Sequence, residues 1–186
     1  MTPTEREKML AGDLYRSTDP ELQAAAAQAQ ILLRRLNATP NEDLGLRQAV
    51  LQALLGSIGE LTQVKSPFSC DYGWNIHVGR NGFINYGCTF LDCNSIRIGD
   101  DAQIGPGVQI YTALHPLDAH TRRSGLETAK PVTVGHNVWL GGSCVICPGV
   151  SIGDNTVVGA GAVVVRDLPA NALAVGNPCK VIRQLF

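Results

Sequence analysis

Between residues 132 and 165 an aliphatic side chain returns at every sixth position without a gap: Val134, Leu140, Ile146, Ile152, Val158 and Val164. A period of six fits neither an amphipathic helix, with about 3.6 residues per turn, nor an alternating strand, with a period of about two. It fits a chain that lays down a short strand and a sharp turn three times per coil of about 18 residues, then stacks coil on coil. The residue after each aliphatic is mostly glycine (Gly135, Gly141, Gly153, Gly159), and only Cys147 and Val165 break that column. Glycine permits turn conformations that a Cβ opposes. Two positions before each aliphatic runs a smaller column: Val132, Val138, Cys144, Val150, Thr156 and Ala162. The same pattern appears upstream at Ile98, Ile104 and Ile110, preceded by Ile96, Ala102 and Val108. A noisier stretch from Ile76 to Phe90 joins it after a phase slip around Asp92 to Ser95.

Such a coil cannot bury its inner side chains alone, so the aliphatic columns become a continuous core only by stacking. The composition agrees with small inner side chains, because 45% of residues are hydrophobic, only 5% are aromatic, and there are 20 glycines. The expected fold is mainly β: a parallel β-helix over 66–186 preceded by a helical segment over 1–65, with one excursion loop and a C-terminal tail.

The helical segment shows its own punctuation. Thr2-Pro3-Thr4-Glu5 and Thr39-Pro40-Asn41-Glu42 each offer a capping threonine, proline at the first helical position and a glutamate three after the cap. Asp19-Pro20-Glu21 starts a further helix in the same way. Leu22, Ala29, Leu33 and Leu36 fall on one helical face, and so do Leu46, Val50, Leu54 and Ile58.

Fifteen Lys and Arg against sixteen Asp and Glu give a net charge of -1, so there is no uniform basic field to attract nucleic acid or an anionic membrane. No apolar run reaches the ~18 residues of a membrane span, and the first residues, Met-Thr-Pro-Thr-Glu-Arg-Glu-Lys, lack the apolar stretch of a signal peptide. The chain reads as cytoplasmic, where the six cysteines are expected as free thiols. Cys144 and Cys147 have metal-like spacing, but the repeat columns already account for both, and no second pair completes a four-ligand set.

The six-residue period is interrupted once. Residues 112–131 carry no aliphatic column and must leave the coil as an excursion loop, with His115 at its start. A polar excursion from a rigid scaffold is where function concentrates. Histidine suits proton transfer because its unperturbed pKa of ~6.5 lets it accept and release a proton near neutrality. An isolated loop histidine is otherwise a turn cap. His77 should point outward between Ile76 and Val78, and His136 occupies a turn position.

The repeats, Tyr111-Thr112-Ala113-Leu114-His115-Pro116, the segment Pro131 to Gly141 and the tail Gly176 to Arg183 together resemble the maltose/galactoside O-acetyltransferases of the hexapeptide-repeat superfamily. The opening Met9-Leu10-Ala11-Gly12-Asp13-Leu14-Tyr15 also looks like that family's first helix. The resemblance covers nearly the whole chain and implies a left-handed β-helix, a homotrimer with sites at subunit interfaces, acetyl-CoA as co-substrate, a sugar acceptor and no metal. It implies that His115 is the general base. The oxyanion and donor groups would be Gly142 and Ser143, and acetyl-CoA would be bound by Gly141, Gly142, Ala160, Val165, Arg166, Lys180 and Arg183. The acceptor would meet Ser17, Asp71, Asn85, Asp92, Cys93 and Glu127. This chain departs from the family in having Gly142 where serine is frequent and Val165 where threonine is frequent. Sugar-binding aspartates also occur at positions equivalent to Ser17 and Cys93. Glu127 could orient His115, hold the acceptor, or be a surface charge.

Two other readings are open at this point. Gamma-class carbonic anhydrases share the repeat and bind a metal through three histidines, and His77, His115 and His120 form such a trio, the last two with four residues between them. A β-helix retained only for assembly or ligand binding is the non-enzymatic alternative.

Overall fold

The computed structural model describes residues 2–185. Each six-residue segment contributes a short strand to one of three parallel sheets, which form the faces of a prism. The first face is built from Ser57–Ile58, Ile76–Val78, Ile96–Ile98, Val132–Val134 and Ser151–Ile152. The second runs from Gln63–Val64 to Ala172–Val175 and is closed by the antiparallel strand Lys180–Gln184. The third holds Phe68–Cys70, Cys88–Leu91, Gln109–Tyr111, Val145–Ile146 and Val163–Val164. The aliphatic columns point inward as the period requires, with Ile104, Leu140, Val158 and Val164 all buried in one core.

Coil length is not uniform, contrary to the 18-residue period. Ser57 pairs with His77 and His77 with Arg97, a rise of 20 residues per coil. Thr133 pairs with Ser151, a rise of 18, and Ile152 with Leu168, a rise of 16. The two extra residues of each early coil fall at the corner between the third and first faces, at residues 71–75 and 91–95. The excursion leaves at that same corner one coil later, so that Arg97 pairs with Thr133 across a gap of 36. The wider early coils need larger fillers, and Phe68 and Phe90 supply them, packed edge to face at 5.3 Å.

The first two coil strands, Ser57–Ile58 and Gln63–Val64, lie upstream of residue 66, so the prism begins earlier than the repeat pattern shows. Ile58 therefore belongs to a strand rather than to a helix face, and Leu46 is exposed. Helix α1 (Glu5–Ala11) is capped by Thr4, not Thr2: Thr4 Oγ1 accepts the Glu7 N–H at 3.1 Å and Glu7 Oε2 accepts the Thr4 N–H at 2.7 Å. Proline precedes that capping box instead of occupying the first turn. Helix α2 (Pro20–Ala38) starts at Asp19 as its sequence requires. Thr39 ends it by donating its hydroxyl to Arg35 O at 2.7 Å, and α3 (Leu44–Leu54) is capped by Asp43. The Thr39-Pro40 signal is thus a stop, and the start comes four residues later.

Helices α2 and α3 cover the N-terminal coil. Buried Arg47 fastens them to it by donating to Leu36 O, Thr39 O and Val64 O at 3.1, 2.8 and 2.5 Å. A cavity of about 550 Å³ lies beside it between α3 and the first coil, remote from the corner that carries the excursion.

Candidate active site

The excursion is an ordered hairpin. Ala113–Leu114 pairs antiparallel with Leu126–Ala129, and the short helix α4 (Ala119–Arg123) fills the turn. The far side of Leu126–Ala129 pairs with Tyr15–Arg16 from the N-terminal segment, making a three-stranded sheet that lies over the third corner, the one between the third and first faces. Met9–Tyr15 is accordingly half helix and half strand, because Gly12 takes φ +81° and ends α1.

Register determines what this small sheet presents. Tyr15 stands opposite Glu127, and Ala113 opposite Ala129 with Leu114 opposite Thr128. The pairing ends at Leu114, and His115 is the next residue, exposed and just beyond the last observed pair. Alternation places Tyr15, Ser17, Glu127, Ala129 and Ala113 on the face turned to the corner. Burial agrees, since Tyr15, Tyr72, Cys93 and Ala129 form one buried cluster with Ala113 packed against it.

Within that cluster Glu127 is held at both oxygens. Tyr15 donates to Oε2 at 3.2 Å and Ser17 to Oε1 at 3.0 Å. Burial pushes the Tyr15 phenol far up, so it remains a proton donor at neutral pH. Cys93 Sγ donates to Asp71 Oδ2 at 3.5 Å. Burial raises Asp71 too, with the Cys93 hydrogen bond opposing and the Glu127 charge adding to the rise. Desolvation pushes the Cys93 thiol well above its ordinary value, so it is no nucleophile.

Asp92 does not face this polar pocket as an acceptor ligand would. Its side chain is fully buried. Oδ1 accepts the Asp71 and Tyr72 N–H groups at 3.0 and 2.8 Å, and Oδ2 the Asn75 N–H at 3.3 Å. Burial pushes its pKa up to about 6, with these amides pulling it back. Asp92 is the carboxylate that folds the widened corner. Two residues on, Asn94 donates to Met9 O and Leu10 O and ties down the end of α1.

The other predicted residues lie along a different edge. The corner between the second and third faces stacks Asn85-Tyr86-Gly87, Gly105-Pro106-Gly107, Gly141-Gly142-Ser143 and Gly159-Ala160-Gly161. Gly107 N–H donates to Tyr86 O, Ser143 N–H to Pro106 O and Gly161 N–H to Gly142 O at 2.8, 2.8 and 2.9 Å. Two glycines are sterically required here: a Cβ on Gly141 would sit 2.5 Å from Ala160 N, and one on Gly105 2.6 Å from Gly142 N. The Gly142 N–H has no acceptor among the described residues, whereas the Ser143 N–H is spent on Pro106. Asn85 therefore joins the donor edge and not the Asp71–Glu127 pocket. Val165 and Arg166 are exposed at the top of the third corner, and Lys180 and Arg183 are exposed on the closing strand opposite Val175 and Leu173.

His77 lies on the first face with Ser57 Oγ 3.1 Å from its Nδ1, His115 on the hairpin and His120 on α4. The structure does not bring the three together, and among the described residues no group of three His, Cys, Asp or Glu side chains could hold a metal ion. Tyr15 is the site residue that motif reasoning passed over. Its signal in the sequence is an aromatic just beyond the Gly12 helix stop, within a segment whose composition reads as helix.

A coiled parallel β prism interrupted by a histidine-bearing hairpin is a hexapeptide-repeat fold, and similarity to known proteins narrows it to the acetyltransferases. Residues 8–59 match the maltose acetyltransferase hexapeptide capping motif and residues 131–166 the bacterial transferase hexapeptide model of six repeats. A maltose O-acetyltransferase structure from Clostridium difficile 630 is 48% identical and superposes with a TM-score of 0.98, covering 100% of each chain. A hexapeptide-repeat acetyltransferase from Vibrio cholerae, complexed with acetyl coenzyme A, is 38% identical at TM-score 0.92, over 99% of this chain and 100% of that one. A galactoside acetyltransferase in complex with coenzyme A is 34% identical at 0.96, over 100% of this chain and 92% of that one. This chain belongs to the maltose/galactoside acetyltransferase family.

Proposed function

We propose that the chain is a cytoplasmic homotrimeric O-acetyltransferase that moves acetyl from acetyl-CoA to a sugar hydroxyl by direct attack in a ternary complex. One observation carries the assembly. His115 and its polar pocket lie on one edge of the prism, whereas the glycine-rich ladder with Gly142 lies on another, roughly 10 Å away along a strand rising ~3.3 Å per residue. Both halves meet only if a second copy brings its ladder against the hairpin edge. The outward Tyr86 and Trp139 beside the ladder, 49% and 56% exposed, suit such an interface.

In that composite site the neutral His115 ring takes the proton of the acceptor hydroxyl as its oxygen bonds to the thioester carbonyl carbon. The Gly142 N–H donates to the developing oxyanion. Collapse breaks the carbon–sulfur bond, and the leaving thiolate of CoA takes the proton back from His115. Arg166, Lys180 and Arg183, none in an ion pair among the described residues, suit the phosphates of CoA, and the small residues Gly141 and Ala160 let its arm lie close. Ser17, Asp71, Cys93 and Glu127 supply the directional donors and acceptors that a sugar hydroxyl requires.

Subunit complementation tests this. His115→Ala removes the base, and Ala160→Trp, at an exposed ladder position, blocks the donor arm. Each should be inactive alone. Random mixing into trimers should restore about one quarter of the sites, because half the hairpin edges and half the ladders stay intact. Recovery of no activity in a mixture shown by mass to be trimeric would contradict a shared site.

A further inference from the structure

The corner between the first and second faces carries one left-handed residue per coil. Asn81, Asp101, Asn137, Asn155 and Asn171 hold this position with φ between +54° and +61°. Their side chains form a ladder: Asn81 Nδ2 donates to Asp101 Oδ1 at 2.7 Å, Asn137 Nδ2 to Asn155 Oδ1 at 2.9 Å and Asn155 Nδ2 to Asn171 Oδ1 at 2.8 Å. Asparagine and aspartate suit the place because short polar side chains tolerate the left-handed conformation best after glycine. In the first coil the same position holds Leu61, with φ +62° and 80% of its surface exposed. A leucine here carries backbone strain, shows apolar surface to water, and offers no donor to Asn81 Oδ1.

Leu61 and Asn81 line the cavity of about 550 Å³ between α3 and the first coil, a volume in the range of small-molecule sites. Arg47 lines it too. Three of its five N–H donors are spent on backbone carbonyls, leaving two without an acceptor among the described residues. Lys65 is a second cation of the lining, and among the described residues neither is paired with an acid. No Asp or Glu lines the cavity among the described residues, and Asp43, at the start of α3, is turned to the Leu46 N–H. A buried charge is costly until it is paired. Asn41, on the connection between α2 and α3, adds a buried Oδ1 with no donor, and turning its amide over would offer an NH₂ instead. Leu44 and Leu51 from α3 complete an apolar wall with Leu61.

We propose that this cavity binds a small amphipathic carboxylate, with its anionic end on Arg47 and Lys65 and its apolar body against Leu44, Leu51 and Leu61. The ligand supplies the negative charge that the buried guanidinium lacks. It also covers the one ladder position where an exposed leucine replaces asparagine or aspartate. The site lies away from the acetyl-transfer corner and does not rest on that activity.

Calorimetric titration of the whole protein with octanoate and with octanol, which has the same chain and no charge, tests the proposal. Octanoate should bind with a Kd below about 1 mM and about tenfold more tightly than octanol, the ratio expected of hydrogen bonds to a charged partner. Arg47→Gln would also cut the carbonyl bonds that fasten α3, so the variants are placed at the other two contacts. Leu61→Asn should weaken both probes about fivefold by removing apolar contact. It should melt no lower than the wild type, because asparagine tolerates the backbone and can donate to Asn81 Oδ1. Lys65→Gln should weaken octanoate about threefold and leave octanol unchanged. Octanol binding as tightly as octanoate, no octanoate binding at about 1 mM, or an unchanged octanoate affinity in Leu61→Asn would each overturn the site.

Discussion

Replacing His115 by alanine should lower kcat about a thousandfold, within the ~10²–10⁴ range of positioned acid–base groups, while the KM for acetyl-CoA stays within about twofold. The asymmetry follows from the prism. His115 stands on the excursion at the third corner, whereas the groups suited to the CoA arm stand on the ladder at the second. Truncating the base therefore leaves donor binding untouched. His115 is exposed and not within a helix or coil strand, so the variant should melt like the wild type. Steady-state kinetics at varied acetyl-CoA, with a melting curve on the same sample, checks both halves.

Asp92→Ala should cost about 4 kcal/mol of stability, because the carboxylate organises the backbone of its own corner. Three backbone N–H groups, those of Asp71, Tyr72 and Asn75, lose their acceptor at once, and an unsatisfied buried donor costs about 1–3 kcal/mol. Asp92→Asn should lose about half as much, since one amide oxygen can keep the Asp71 and Tyr72 bonds while the new NH₂ repels the Asn75 N–H. Urea unfolding of the two variants measures this directly. Transfer should fall in Asp92→Ala as well, because the same corner carries Asp71 and Cys93. A small stability change in both variants would mean that Asp92 is available to bind the acceptor.

The repeat made the prism legible, since a period of six allows few packings, and Val134 to Val164 all turn inward as it demands. The widened early coils were not legible as such. Two additional residues at one corner leave the six-residue steps around the other two corners intact, and the slip near Asp92 shows where the rule breaks without showing why. The break is a buried carboxylate folding backbone amides, and a sequence cannot tell an aspartate that faces a sugar from one that faces its own main chain. Helix starts were misplaced at Thr2 and Thr39 for a similar reason: several residues in Thr-Pro-Thr-Glu and Thr-Pro-Asn-Glu-Asp are able to cap, and the packing of the first coil selects Thr4 and Asp43. Of the candidate site, His115, Glu127, Ser17, Asp71 and Cys93 gather at one corner. Asn85 lies on the other edge, because the corner that a residue occupies depends on the count of residues per coil. Tyr15 was hidden by its neighbours, whose helical character ends only where Gly12 adopts a left-handed conformation.

The most direct measurement is acetyl transfer from acetyl-CoA to glucose, maltose and a galactoside, followed by product mass, since six thiols on the protein would interfere with a colour assay for free CoA thiol. Expected is an acetyl ester on at least one sugar, formed by the wild type, unaffected by a chelator and lost with His115→Ala. Acetyl appearing on no sugar, or on a sugar equally well without His115, would contradict the assignment of this corner as a sugar O-acetylation site.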